Sequence, residues 1–172
     1  MQNARHFLPG NRELITNLLP QHHASVHALL LATSIFSDAE LAVADELITV
    51  VLEEPDQKDY HAFVDVVGAG ETESVAGFLL LGPTPATSGT WDLYWMATDP
   101  RHYGTGVAQA LQLFAESLVQ SFGGYLLIAE TSSQDGYARA RAFYHKAGYD
   151  ELARIADYYK AGDDLVVFGK RL

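Results

Sequence analysis

Apolar positions along this chain recur at helical spacing, alternate, or run together in blocks, and each pattern predicts an element. Val26, Leu29, Leu30 and Thr33 recur at three and four and predict a helix over residues 24–36. Ser37 and Glu40 have the form of a capping box, so a second helix begins there, with Leu41, Ala44, Ile48, Val51 and Leu52 on its buried face and Pro55 at its end. Residues 61–67 and 75–81 are β-branched, aromatic and apolar. Gly68-Ala69-Gly70 separates them and Gly82-Pro83 closes them, which predicts an antiparallel hairpin. Residues 5–8 form a candidate first strand ended by Pro9-Gly10, and 11–19 are too short and mixed to assign.

The stretch around which the rest is organised runs from Trp91 to Ala108. Residues 91–98 are aromatic and apolar, as a buried strand should be, and Asp99-Pro100 stops it. Two glycines, Gly104 and Gly106, then lead into a stripe at Val107, Leu111, Phe114 and Leu118 that predicts a helix ending near Gly123-Gly124. Residues 125–130 are continuously apolar up to Glu130 and read as a strand joined to the first by a helical crossover, hence parallel to it. A helix over 135–147 follows, capped by Asp135, complemented by Lys146 and ended by Gly148. Residues 151–158 and 165–170 are closing strands around a turn at 160–164.

A glycine-bearing turn at a helix start offers unpaired N–H groups at the positive end of the helix dipole, with no side chain to block an anion. Alternatively, Gly104 and Gly106 serve only a tight turn. A Walker loop is excluded because no Gly-Lys-Ser/Thr is present, and a dinucleotide fingerprint because Gln109 stands where Gly or Ala is required.

Composition narrows the function classes. At 172 residues, 48% hydrophobic and 19% charged, the chain suits one domain over 1–172. It has no cysteine, hence no disulfide framework and no thiol nucleophile. A net charge of −11 argues against a nucleic-acid groove and favours cationic small molecules or peptides. No apolar run is long enough for a membrane span and no signal-peptide pattern is present, so a cytoplasmic location is expected. His23 and His27 would share a helical face, but no acidic residue lies between them in the His-Glu-x-x-His manner, and no metal is expected.

Thr98-Asp99-Pro100 followed by Tyr103-Gly104-Thr105-Gly106-Val107-Ala108 resembles the acetyl-CoA motif of the GNAT superfamily of N-acetyltransferases. Some forty residues later, Tyr144-His145-Lys146-Ala147-Gly148-Tyr149 resembles the family's second motif, Tyr-x-x-x-Gly-Phe/Tyr. Two departures stand out: Tyr103 takes a position where Gln or Arg is usual, and Tyr137 one where Asn is common. The resemblance implies an α/β fold with a mixed central sheet of about six or seven strands and helices on both faces. It also implies direct transfer of an acetyl group from acetyl-CoA to a primary amine of a small molecule or peptide, through a tetrahedral intermediate. The alternative on the same fold is a non-catalytic acyl-CoA binder, and a homodimer is compatible with either.

By that resemblance the turn from Tyr103 to Ala108 would take the cofactor's pyrophosphate, Met96, Ala97 and Thr98 its pantetheine arm through backbone groups, and Tyr137 would lie beside that arm. Tyr144 is expected to protonate the leaving thiolate, since a phenol of pKa near ~10 carries its proton at neutral pH while a thiol ionises near ~8.5. An alkyl amine must lose a proton to attack, so a base is needed. Glu130 is the first candidate, at the end of its strand where the ladder should part, and Asp92 the second, well before a bulge expected around Met96. The competing role for Glu130 is pairing with Arg139 or Arg141.

Overall fold

The computed structural model describes residues 15–68 and 73–172. The strand expected at 5–8, and Ala69 and Gly70 of the hairpin break, lie outside them. Seven strands form one mixed sheet: β1 (Ile15–Asn17), β2 (His61–Val67), β3 (Ser74–Pro83), β4 (Thr90–Thr98), β5 (Leu126–Ser132), β6 (Asp150–Lys160) and β7 (Asp163–Arg171). Their order is β1-β2-β3-β4-β5-β7-β6. The helices are α1 (His23–Thr33), α2 (Asp38–Glu53), α3 (Val107–Ser121) and α4 (Ala138–Lys146). The mixed α/β sheet is the one expected.

The chain divides into two compact units. Of the described residues, one takes those up to Gly82 together with Trp95–Ala115; the other takes Pro83–Tyr94 and Glu116–Leu172. In the first, β2 and β3 form the expected antiparallel hairpin, and β1 adds to β2 with Ile15 opposite Asp65. That three-residue strand, one apolar residue and two polar ones, is too short to carry a period. The capping box of α2 forms as expected: Ser37 Oγ accepts from the Glu40 amide at 3.3 Å, and Glu40 accepts from the Ser37 amide at 2.8 Å. Gly77 sets how closely α3 lies on β3. A Cβ there would stand 2.6 Å from Val107 and 2.7 Å from Leu111, an overpacking worth ~1–3 kcal/mol. Beside it Phe63 and Phe114 meet edge to face, 4.7 Å between centroids.

In the second unit β4 and β5 run parallel, as expected, and β7 lies antiparallel between β5 and β6. Gly124 follows α3 where any side chain would run into Val119 and Trp91. The segment after β5 is tied to the β6–β7 turn. Ser132 donates to Asp163 at 2.5 Å, the Asp164 amide to Ser133 Oγ at 2.8 Å, and Gln134 Nε2 to the Gly162 carbonyl at 2.7 Å.

Several boundaries differ from the sequence expectation. The first helix stops at Thr33 rather than Phe36 because Ser34 takes a left-handed conformation, φ 55°. The stripe of α3 buries Val119 fully and Leu118 only partly. Asp135 does not cap α4. It opens a short 3-10 turn, Asp135–Tyr137, and the α-helix starts at Ala138. Strand β5 extends to Ser132, so Glu130 lies inside it rather than at its end.

Candidate active site

The turn before α3 is built from its backbone upward. Asp99, 4% exposed, fixes its entry: its amide donates to the Ala76 carbonyl of β3 at 2.9 Å, and its Oδ1 accepts from the Arg101 amide at 2.8 Å. The Arg101 guanidinium reaches both oxygens of Asp99, with Nη2 at 2.6 Å, and holds that carboxyl below the usual range, hydrogen bonding being the largest cause. A 3-10 turn, Pro100–His102, then uses the amides of His102, Tyr103 and Thr105 internally.

What remains is a row of free donors. Gly104 and Gly106 have φ of 74° and 89°, open to glycine and strained for other residues. The first amide of this region to find a helical acceptor is that of Ala110, which donates to the Gly106 carbonyl at 2.9 Å. Among the described residues no acceptor takes the N–H of Gly104, Gly106, Val107, Ala108 or Gln109. Such amides at a helix N-terminus bind anions. Tyr103, 38% exposed, contributes no cation here.

The strands supply the second feature. The β4–β5 ladder runs from Thr90↔Leu126 to Leu93↔Ala129 and stops, although β4 continues to Thr98 and β5 to Ser132. The parting comes earlier than the bulge expected around Met96. Past it, side chains carry polar atoms buried without a partner among the described residues: Trp95 Nε1 and Thr98 Oγ1 on β4, and Thr131 Oγ1 on β5. An unpaired buried donor or acceptor costs ~1–3 kcal/mol, so the two on β4 suit a ligand that carries amides and hydroxyls. Trp95 and Thr131 had no signal in the sequence beyond being polar atoms in apolar strands.

The register places Asp92 opposite Ile128, two residues before Glu130, so the two acids project from the same sheet face. Desolvation raises both carboxyls above their ordinary range; the Thr84 hydroxyl partly offsets this at Asp92, and the charge of Asp92 adds to it at Glu130. Glu130 is exposed and Asp92 half-buried. Arg141 does not pair with it; its Nη1 donates to the carbonyls of Ser132 and Gln134 at 2.6 and 2.8 Å.

Tyr144 is 7% exposed, its ring 5.4 Å from those of Tyr149 and Phe168 and 5.8 Å from that of Phe143. Burial pushes its phenol well above the ordinary range. Tyr137 ends the 3-10 turn before α4, and Met96, Ala97 and Thr98 lie on β4 past the end of its ladder to β5. The histidines hold no metal cluster among the described residues: His27 Nδ1 and His23 Nε2 lie 2.8 and 3.5 Å from Asp45. No helix among those residues is long and apolar enough to cross a membrane.

Comparison with known proteins adds the following. The model of the acetyltransferase (GNAT) family matches residues 26–149. No curated protein matches the chain. A crystal structure from Desulfovibrio desulfuricans, assigned to the GNAT acetyltransferase family, is 35% identical, covers 91% of this chain and 96% of its own, and superposes with a TM-score of 0.83. Two others share the fold at lower identity. A ribosomal-protein alanine N-acetyltransferase from Escherichia coli is 18% identical over 91% and 92% of the two chains, TM-score 0.69. An aminoglycoside 6'-N-acetyltransferase complexed with coenzyme A is 15% identical over 92% and 97%, TM-score 0.69.

Proposed function

This chain belongs to the acetyltransferase (GNAT) family, and from that premise we infer that it moves an acetyl group from acetyl-CoA to a primary amine of a small molecule or peptide. The observation that carries the reading is the set of free amides of Gly104 and of Gly106 to Gln109 at the start of α3, where a pyrophosphate finds donors and a positive dipole end. The orphaned polar atoms of Trp95 and Thr98 on β4 suit the amide and hydroxyl groups of a pantetheine arm. Acetyl-CoA, when bound, supplies a thioester whose carbonyl carbon is open to an amine.

Each residue then has a separate task. The backbone of Met96, Ala97 and Thr98 aligns the arm as a strand would, and Tyr137 borders it. Glu130, with Asp92 behind it, takes the ammonium proton. An alkylammonium of pKa near ~10.4 and an ordinary carboxylic acid near ~4.3 differ by about 6 units, or ~8 kcal/mol, and every unit by which desolvation raises the carboxyl removes ~1.4 kcal/mol of that gap. Tyr144 donates a hydrogen bond to the departing sulfur and keeps its proton. Burial makes this phenol a weaker acid than a free one, so full transfer to a thiolate is more uphill than the residue type alone suggests.

The test is release of free coenzyme A thiol from acetyl-CoA against a panel of polyamines, aminoglycosides, amino acids and peptide N-termini, with binding followed by calorimetry. Amine-dependent thiol release is the expected result. Binding without turnover across the panel would favour an acyl-CoA binder, and absence of binding would remove the cofactor assignment.

A further inference from the structure

The segment that leaves β5, Ser132 to Gln134, is held from two sides. On one side the β6–β7 turn bonds it through Asp163, Asp164 and Gly162. On the other, Arg141 of α4 reaches back: its Nη1 donates to the Ser132 carbonyl at 2.6 Å and to the Gln134 carbonyl at 2.8 Å. The place is a poor one for a cation. Arg141 lies in the first turn of α4, where the helix dipole disfavours positive charge, and that turn holds no acid to offset it. Among the described residues no carboxylate lies within ion-pair distance of Arg141 either. What the half-buried guanidinium gains in return is two charge-assisted hydrogen bonds, among the stronger kinds a protein makes.

We propose that Arg141 is a positioning residue of the transfer site: by tying the end of β5 to the start of α4 it fixes Glu130 relative to Tyr144. The proposal rests on the amine-acetylation reading and on the tasks given to those two residues. Glu130 lies two residues before Ser132 on β5, about 7 Å of strand. Tyr144 lies three residues after Arg141 on α4, about 4.5 Å of helix and on the same face. Packing on Phe168 fixes the Tyr144 ring against β7, and the two bonds of Arg141 fix the end of β5 against α4. Arg141 hydrogen-bonds neither Glu130 nor Tyr144, so it acts through their placement. Placement is what such a transfer depends on. A base must meet the amine while a donor meets the departing sulfur, and a misplacement of about 1 Å costs on the order of 10²-fold in rate.

Arg141→Met keeps the aliphatic stem and removes both bonds. Measured on the full chain with an amine that the parent acetylates, it is expected to lower kcat ~30-fold, while coenzyme A affinity by calorimetry and the KM for the amine stay within about three-fold. The same substitution is then made in Glu130→Gln. With the base gone there is less to misplace, so the further loss of kcat should be about three-fold or less. Full kcat in Arg141→Met, or an equal fold loss in both backgrounds, would overturn the proposal. Should Arg141→Met not fold, Arg141→Lys takes its place in the same cycle. A loss smaller in the Glu130→Gln background than in the parent is again the expected result, and any other, a parental kcat included, overturns the proposal. A parent that binds coenzyme A and acetylates no amine would overturn the functional reading and this proposal together. An active parent with an equally active Arg141→Met would overturn the role of Arg141 alone.

Discussion

The turn that opens α3 and the carboxyl pair Asp92 and Glu130 reach their chemistry by opposite routes. The turn uses backbone amides, fixed partial charges that do not titrate and do not depend on which side chain each residue carries, provided Gly104 and Gly106 keep their positive φ. The pair uses side chains whose protonation depends on burial and on each other. A backbone site therefore tolerates a replacement such as Tyr103 at a position where Gln or Arg is usual, while a side-chain site changes with every substitution in or near it.

The largest effect on cofactor affinity should come from forcing a side chain into the turn. Gly106→Val places a β-branched residue at a φ of 89° and obstructs the adjacent amides, and coenzyme A affinity measured by calorimetry should fall ~100-fold, about 2.7 kcal/mol. Gly104→Ala is the control. A Cβ there meets nothing within 4 Å, so only the strain of its positive φ remains, ~1–2 kcal/mol of stability with affinity within a few-fold. Equal losses of affinity in both variants would show that the turn's shape, rather than access to its amides, carries binding.

On the side-chain half, Glu130→Gln should lower kcat by ~10²–10⁴-fold with little change in coenzyme A affinity, as removal of a general base does. If instead kcat holds and only the KM for the amine rises, the carboxylate attracts the acceptor and takes no proton. A smaller fall, ~10-fold in kcat, is expected for Tyr144→Phe, because the ring keeps its contacts with Phe143, Tyr149 and Phe168 and loses only a hydrogen bond. Its melting temperature should stay within a few degrees of the parent's. Full turnover in this variant would leave Tyr144 with a packing role alone.

The same contrast separates what could be read in the sequence from what could not. The hairpin, the α2 cap and the glycine turn were legible because each rests on local chemistry: apolar blocks broken by glycines, a serine three residues before a glutamate, a glycine pair ahead of a helical stripe. β1 was not, because Ile15–Asn17 is held by pairing with β2 and too short to show a period. The end of α1 at Ser34 and the late start of α4 escaped for a related reason: a left-handed serine and a 3-10 turn are backbone choices that the apolar spacing does not encode. Within the candidate site, the parting of β4 from β5 followed from the motif. Its position after Leu93, and with it the coupling of Asp92 to Glu130, required the register.

That coupling gives the smallest effect and the one with a definite sign. The negative charge of Asp92 is the second cause, after desolvation, of the raised Glu130 carboxyl. Asp92→Asn removes the charge and keeps the shape, so Glu130 should ionise at lower pH. If Glu130 is the base, the acidic limb of kcat/KM then moves to lower pH, while the plateau stays within about two-fold because the proton acceptor itself remains. Stability should follow with its own sign. A carboxyl raised by the fold binds its proton more tightly folded than unfolded, so its contribution is fully present below the unfolded value near ~3.9 and is lost as pH rises through the folded value. Replacing Asp92 removes that loss. The variant should gain melting temperature relative to the parent above the carboxylate range and show no such gain near pH 3. An acidic limb that stays in place while melting temperature shifts as described would leave Asp92 a half-buried acid uncoupled from the reaction, and a fall of ~10²-fold or more in kcat would make Asp92 itself the base.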